Sequence, residues 1–160
     1  KKSSDYFNTK LYTGTGAENA QTGVGFQPDL TWLKRRNGVG SHRLFDVVRG
    51  ATKEIFSDAT NAESTDAQSL KSFDSDGFTL GTGGATNGSG NTYASWNWLA
   101  NGAGSANTDG SISSTVSANT TSGFSIVSYT GNSTSGATVG HGLGVTPKMI
   151  IVKKRNASGL

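Results

Sequence analysis

The sequence predicts an all-β fold: an antiparallel β-sandwich, jelly-roll or lectin-like, followed by the opening strands of a second, partial repeat. Three observations carry this. Hydrophobic content is only 32%, with 23 glycines in 160 residues, yet aromatic and β-branched residues gather in short runs. Those runs alternate with clusters of Gly, Asn, Asp, Ser and Thr, which is the pattern of many strands joined by turns. Finally, one phrase occurs twice. "PDLTWLKRRNG" from Pro28 and "TPKMIIVKKRN" from Thr146 each run through a proline, an apolar stretch, basic residues and an asparagine.

The repetition extends backwards along the chain. Phe7, Tyr12, Thr13 and Gly14 stand 117 residues before Phe124, Tyr129, Thr130 and Gly131. Gly23, Gly25 and Pro28 stand 119 residues before Gly142, Gly144 and Pro147, and Lys34, Arg36 and Asn37 match Lys153, Arg155 and Asn156 at the same spacing. The two-residue difference falls between Gly14 and Gly23, where a loop absorbs it. A repeat sets unit boundaries before any local pattern does. Residues 1–100 therefore read as a β-sandwich unit, 101–122 as a Gly/Ser/Thr/Asn-rich linker, and 123–160 as a partial second repeat.

Taken in order, Phe7–Thr13 alternates loosely and reads as a strand. Leu30–Arg35 follows a Gly- and Pro-punctuated stretch, and alternation puts Leu30 and Trp32 on one face and Thr31 and Leu33 on the other. Leu44–Val48 fits a strand or a helical turn equally well, and Glu54–Ser57 is a further short run. "LKSFDSDGFTLG" is the best hairpin signal, with Asp76-Gly77 at its turn. In "TYASWNWLA", Ala94, Trp96 and Trp98 share a face. The linker carries one weak strand, Ile112–Val116. Met149–Val152 is apolar on both faces, as a central strand covered on two sides would be. A core this poor in apolar residues needs its large aromatics, so Trp32, Trp96 and Phe78 are expected inside.

Composition excludes several classes. No stretch is long and apolar enough to be a membrane-spanning helix, so no membrane insertion is expected. No signal-peptide pattern is visible in a chain that starts at Lys1. Without cysteine, disulfides and thiol chemistry are excluded. The net charge of +3 is small, and Lys34–Arg36 and Lys153–Arg155 read as solvated strand ends, so no nucleic-acid partner is expected.

Candidate sites are sparse. His42 and His141 have no neighbours at metal-ligand spacing, and no cofactor motif is present. His42 and Asp46 could enter a triad only on paper, and His141 in "GHGLG" reads as a turn residue. Asp74, Asp76 and Gly77 resemble the opening of a calcium loop, but the later ligands are missing and the hairpin explains them. Trp96 and Trp98 would form a sugar-stacking platform if they faced outward. Asn87, Asn119, Asn132 and Asn156 each begin an Asn-x-Ser/Thr sequence.

Several phrases resemble a known group of proteins. They are "DYFNTKLYTGTG", "GVGFQPDLTWLKRR", "HRLFDVVRGATKEIFSD", "SFDSDGFTLGT", "YASWNWLANG", "SANTDGSISSTVSANTTSGFSIVSYTG" and "ATVGHGLGVTPKMIIVKKR". Together they resemble repeat-bearing structural virion proteins of tailed phages, especially marine ones, described as tail-fibre-like or lectin-like. The resemblance runs over nearly the whole chain. It implies a virion-associated or extracellular structural role and no catalysis.

The expected function is accordingly that of a non-enzymatic subunit of a phage fibre, tail or similar filament, with copies of itself as partners. Phe124, Ile126, Met149, Ile150, Ile151 and Val152 are the expected assembly residues, because an isolated two-stranded apolar piece must be covered. The alternative is a glycan-binding adhesin module, in which Trp96, Asn87 and Asp74 contact a host-surface glycan.

Overall fold

The computed structural model describes residues 2–156. The chain is all-β and its sheets are antiparallel. A 3-10 turn at Ser3–Asp5 leads into β1 (Phe7–Thr13), β2 (Asn19–Gln21), β3 (Leu30–Arg35), β4 (Arg43–Asp46), β5 (Lys53–Phe56), β6 (Ser64–Thr65), β7 (Leu70–Asp74) and β8 (Gly77–Leu80). A single helical turn, α1 (Gly84–Asn87), precedes β9 (Thr92–Trp98), β10 (Ser105–Asn107), β11 (Ser114–Asn119) and β12 (Phe124–Tyr129).

One sheet has six strands in the order β1-β9-β3-β4-β5-β6, a second runs β2-β8-β7, and a third runs β10-β11-β12. The core draws on the first two. Tyr12, Leu33, Phe45 and Tyr93 from the six-stranded sheet form one cluster with Leu70, Phe78 and Leu80 of the hairpin β7–β8. Tyr12 and Tyr93 stack at 5.0 Å, and their hydroxyls donate to the carbonyls of Thr86 and Gly84 in the helical turn. Each side chain fully removed from water here contributes about 1.5–3 kcal/mol.

Alternation in β9 holds, but the face turned inward is not the tryptophan face. Tyr93, Ser95 and Asn97 are fully buried, whereas Trp96 and Trp98 are half-buried on the opposite side. Trp32 lies opposite Trp96 in register and is likewise half-buried. The expectation of a core built on Trp32 and Trp96 is therefore corrected, while Phe78 is in the core. Hydrogen bonding makes the polar inner face possible. Asn97 accepts from the Thr31 hydroxyl at 3.0 Å and donates to the Asn8 carbonyl and Ser95 Oγ, so no polar atom of its amide is stranded.

Other elements also differ from expectation. The 101–122 segment, read as a linker, holds β10 and β11, and strand begins at Ser114 rather than Ile112. Ile112 instead bridges Val139. Leu44–Val48 resolves into β4 and a following turn. In the β7–β8 hairpin Asp74 pairs with Gly77, so the turn centres on Ser75 and Asp76, one residue earlier than expected. Met149–Val152 is in no strand, and these residues are 57–76% exposed.

The matched segments agree locally at their first strand and at their paired glycines, but β2 has no strand counterpart in the second copy. Phe7–Thr13 and Phe124–Tyr129 are both strands. Gly23 and Gly25 have φ of 83° and 90°, and Gly142 and Gly144 have 69° and 70°. Between each pair sits a buried apolar residue, Val24 or Leu143. Beyond the prolines they part. Leu30–Arg35 is a strand between β9 and β4, and Met149–Val152 has neither neighbour.

Candidate functional site

Two surfaces collect the residues singled out by the sequence. The first is the outer face of the six-stranded sheet. Register places Phe7 of β1 opposite Trp98, and Trp96 opposite Trp32 of β3. The Phe7 and Trp98 rings lie 4.9 Å apart, and Trp98 stacks on Phe124 of β12 at 5.9 Å and 23°. Trp32 meets Trp96 edge-on at 6.3 Å and donates its indole N–H to His42 Nδ1 at 2.9 Å. A groove of about 470 Å³ runs beside the first cluster, where Tyr6, Phe7, Trp98 and Phe124 supply the aromatic wall and Lys2, Ser3 and Ser122 the polar rim. Sequence alternation found the shared face of Trp96 and Trp98. It gave no sign of the partnership with Phe7 and Phe124, which depends on strand order.

The second surface is the C-terminal segment. Met149, Ile150, Ile151 and Val152 are 76%, 73%, 57% and 70% exposed, and no described element covers them. Phe124 and Ile126, the other expected assembly residues, are half-buried in β12, an edge strand. Immediately after the apolar run, the chain is tied to the first unit. Lys153 Nζ donates to the Ala59 carbonyl at 2.6 Å, and Arg155 makes two bonds to the Glu63 carboxylate at 2.8 and 3.0 Å and one to Ser128 Oγ. The Glu63 amide closes the contact by donating to the Arg155 carbonyl. The basic triplet thus has a docking role that its reading as a solvated strand end missed.

Burial raises the pKa of Glu63, but the hydrogen bonds and charges of Arg155 and Arg49 outweigh it and hold the carboxyl below its ordinary range. Arg49 is itself buried, bonded to Asp46, Glu63 and two backbone carbonyls.

The three residues of the glycan alternative are not brought together as a site. Asn87 is fully buried at the end of α1. Its Oδ1 accepts from the Thr15 amide and Asn19 Nδ2, and its Nδ2 donates to the Ala17 and Gly81 carbonyls. With its amide fully used internally, it cannot read a ligand or carry a glycan. Asp74 accepts from Ser72 and Thr79 within its own hairpin. Asp76 takes the amides of Gly23 and Gly25 at 2.8 and 2.6 Å, which pull its pKa down. Only Trp96 retains an outward ring.

The catalytic pairing conceivable on paper is not assembled either. His42 Nδ1 accepts a hydrogen bond from the Trp32 indole N–H, and Asp46 is engaged by Arg49. His141 Nδ1 accepts from the Leu143 amide within its bend. Among the described residues no helix is long and apolar enough to cross a membrane, and no group of three or more His, Asp or Glu side chains could hold a metal ion.

The profile of a family described as Domain of unknown function (DUF7483) matches residues 2–159, and the chain belongs to that family. No curated protein and no solved structure matches.

Proposed function

We propose that this DUF7483 chain is a non-enzymatic structural subunit that works by head-to-tail, β-mediated assembly, in a phage virion fibre or tail or a similar extracellular filament. The observation that carries the reading is Met149–Val152: four consecutive apolar side chains, more than half exposed and without a strand partner among the described residues. An exposed apolar run of this kind recruits strands from other chains, and a heterologous contact of that type propagates into a fibre or closes into a ring. The ties of Lys153 and Arg155 to Ala59 and Glu63 leave those four residues uncovered, so they present the run rather than consume it.

Deleting Gly123–Leu160 tests the reading. The first unit keeps every residue of its core cluster and stays folded, while light scattering and negative-stain images show loss of assembly. Normal assembly of the truncated chain overturns it.

A second reading, a glycan-binding module, is favoured by one observation: the half-exposed tryptophans on the outer face of the sheet. Aromatic faces of this type stack on the C–H faces of sugar rings. A glycan array comparing the native chain with Trp96→Ala separates the two. Glycan binding lost in that variant supports the second reading, and its absence leaves assembly alone.

A further inference from the structure

β1 ends the six-stranded sheet, and its hydrogen bonds show which backbone groups face outward. The Tyr6 carbonyl accepts from the Leu99 amide and the Gly14 amide donates to the Asn91 carbonyl, and both pairs continue the β1–β9 register. Bonded and non-bonded pairs alternate along an antiparallel ladder, so the even-numbered residues of β1 bond to β9. The amides and carbonyls of Phe7, Thr9, Leu11 and Thr13 therefore point away from β9, to an edge with no strand partner among the described residues. The side chains of these residues lie on the outer face, where Phe7 and Leu11 are 36% and 57% exposed. Lysine is a usual guard of such edges. Lys10, however, sits on the inner face and turns its ammonium to the bend at Gly23, where a Cβ would lie 3.7 Å from Nζ.

We infer that β1 is a self-complementary edge on which a second copy of this chain pairs antiparallel, Thr9 opposite Thr9, joining two six-stranded sheets into one. The inference goes beyond the assembly reading and makes no use of Met149–Val152. Neither copy breaks a bond of its own sheet. A symmetric register centred between two residues would set outward-facing groups against inward-facing ones, so the centre is a residue. Only centres at Thr9, Lys10 or Leu11 pair most of the strand. Centring on Lys10 opposes two like charges. Centring on Leu11 leaves Phe7 without a partner, and both of these registers need the Thr13 carbonyl, which accepts from Asn19 Nδ2. Centring on Thr9 sets Phe7 of each copy opposite Leu11 of the other, and Asn8 opposite Lys10. The two exposed apolar residues of the strand then cover each other, against the ring of Trp98 that already packs on Phe7. Asn8 Oδ1, which holds the Thr9 amide, gives way to the Thr9 carbonyl of the other copy.

The chain has no cysteine, so single cysteines in the full chain report the register. Each variant is oxidised mildly and the covalent dimer is measured on a non-reducing gel. In the Thr9 register, T9C faces itself across the twofold axis, within reach of a disulfide. Val39 is 95% exposed, so V39C measures random collision. T9C should dimerise about tenfold more than V39C, K10C or L11C, because a residue off the axis faces a different residue of the other copy. F7C mixed with L11C should form the mixed dimer in excess of either homodimer. K10C or L11C dimerising as well as T9C overturns the register. T9C dimerising no better than V39C overturns the pairing. T9C bonding to I151C in preference to itself overturns the occupant, giving the edge to the C-terminal run of another copy. Each of these leaves the assembly reading standing, since deletion of Gly123–Leu160 tests that reading separately.

Discussion

At the scale of the residue, this fold spends amide and hydroxyl groups where larger proteins spend aliphatic ones. Asn87 is the clearest case, since its side chain ties Thr15, Ala17, Asn19 and Gly81 to one buried point. Asn87→Ala removes all of these bonds and strands several donors and acceptors. Its expected cost is about 3 kcal/mol, read as a shift in the denaturant midpoint without a change in slope. A cost within the scatter of surface substitutions would mean that water replaces the side chain. The same burial predicts that expression in a glycosylating host modifies exposed Asn132 but not Asn87, which peptide mass mapping checks directly. The tryptophans test the opposite exposure. Trp32, Trp96 and Trp98 are all half-buried, so acrylamide should quench most of the emission of the folded protein. Red-shifted, quenchable emission is expected, and a blue-shifted, shielded spectrum would restore the tryptophan core. The sequence made the grouping of Trp96 with Trp98 legible, because alternation depends only on the strand period. It did not reveal which side was inside. Hydrophobicity favours Trp over Ser95 and Asn97, and only the cross-strand bonds from Thr31 and to Asn8 make the polar side buriable.

At the scale of the element, strands with a clean local signal were readable and strands defined by their neighbours were not. The β7–β8 hairpin lies in the stretch that alternation marked, with its turn one residue earlier than expected, and β9 stands where alternation put it. β10 was hidden and β11 only partly anticipated, as the weak strand Ile112–Val116, because Ser105–Asn107 and Ser114–Asn119 offer almost no apolar contrast; pairing of β11 with β12 and of β10 with β11 is what makes them strands. Met149–Val152 fails the other way, being apolar enough for a central strand but lacking both flanking strands. Gly77 shows how tightly one element is set on another. A Cβ there would lie 1.8 Å from the Gln21 carbonyl oxygen, at a φ of 153° that L side chains rarely adopt. Gly77→Ala should therefore push β2 away from the hairpin and cost about 2–4 kcal/mol. A stability within about 0.5 kcal/mol of the native chain would show that β2 adjusts freely. The basic segment at 153–155 makes a further prediction. Glu63 has a depressed pKa in the folded chain, so its contribution is fully present above its ordinary value and is lost as pH falls through the lower folded value. On acidification below about pH 4.5, the Glu63 amide, which donates to the Arg155 carbonyl, should lose protection from hydrogen exchange. Glu63→Gln should exchange fast at this amide at every pH. Protection that persists in the variant would assign the tie to the backbone alone.

At the scale of the whole molecule, the chain closes on itself only once β9 is in place. β1 pairs with β9 along its full length, from Phe7 opposite Trp98 to Thr13 opposite Thr92, so the ends of the first unit meet at one edge of its largest sheet. Such non-local pairing makes folding slow, on the order of milliseconds to seconds. The core cluster lies wholly between Tyr12 and Tyr93. The β10-β11-β12 sheet stands outside that cluster. It joins the first unit through the Trp98–Phe124 stack, the bonds of Asn119 and Ser122 to the Ala100 and Leu99 carbonyls, the Asn101 amide on Ser117, and the Arg155–Glu63 pair. Val116 is the one apolar side chain of these three strands that is buried. Little apolar area therefore resists local opening, and mostly polar attachments contribute about 1 kcal/mol each. The expected hydrogen-exchange pattern has two levels. Ladder-bonded amides of β1, β3 and β9 exchange only through global unfolding, while those of β11 and β12 exchange through a cheaper opening that leaves the first unit folded. Uniform protection across both sheets would mean that the chain is one cooperative block. The C-terminal piece would then need no partner for stability, and only its exposed apolar run would remain to be covered.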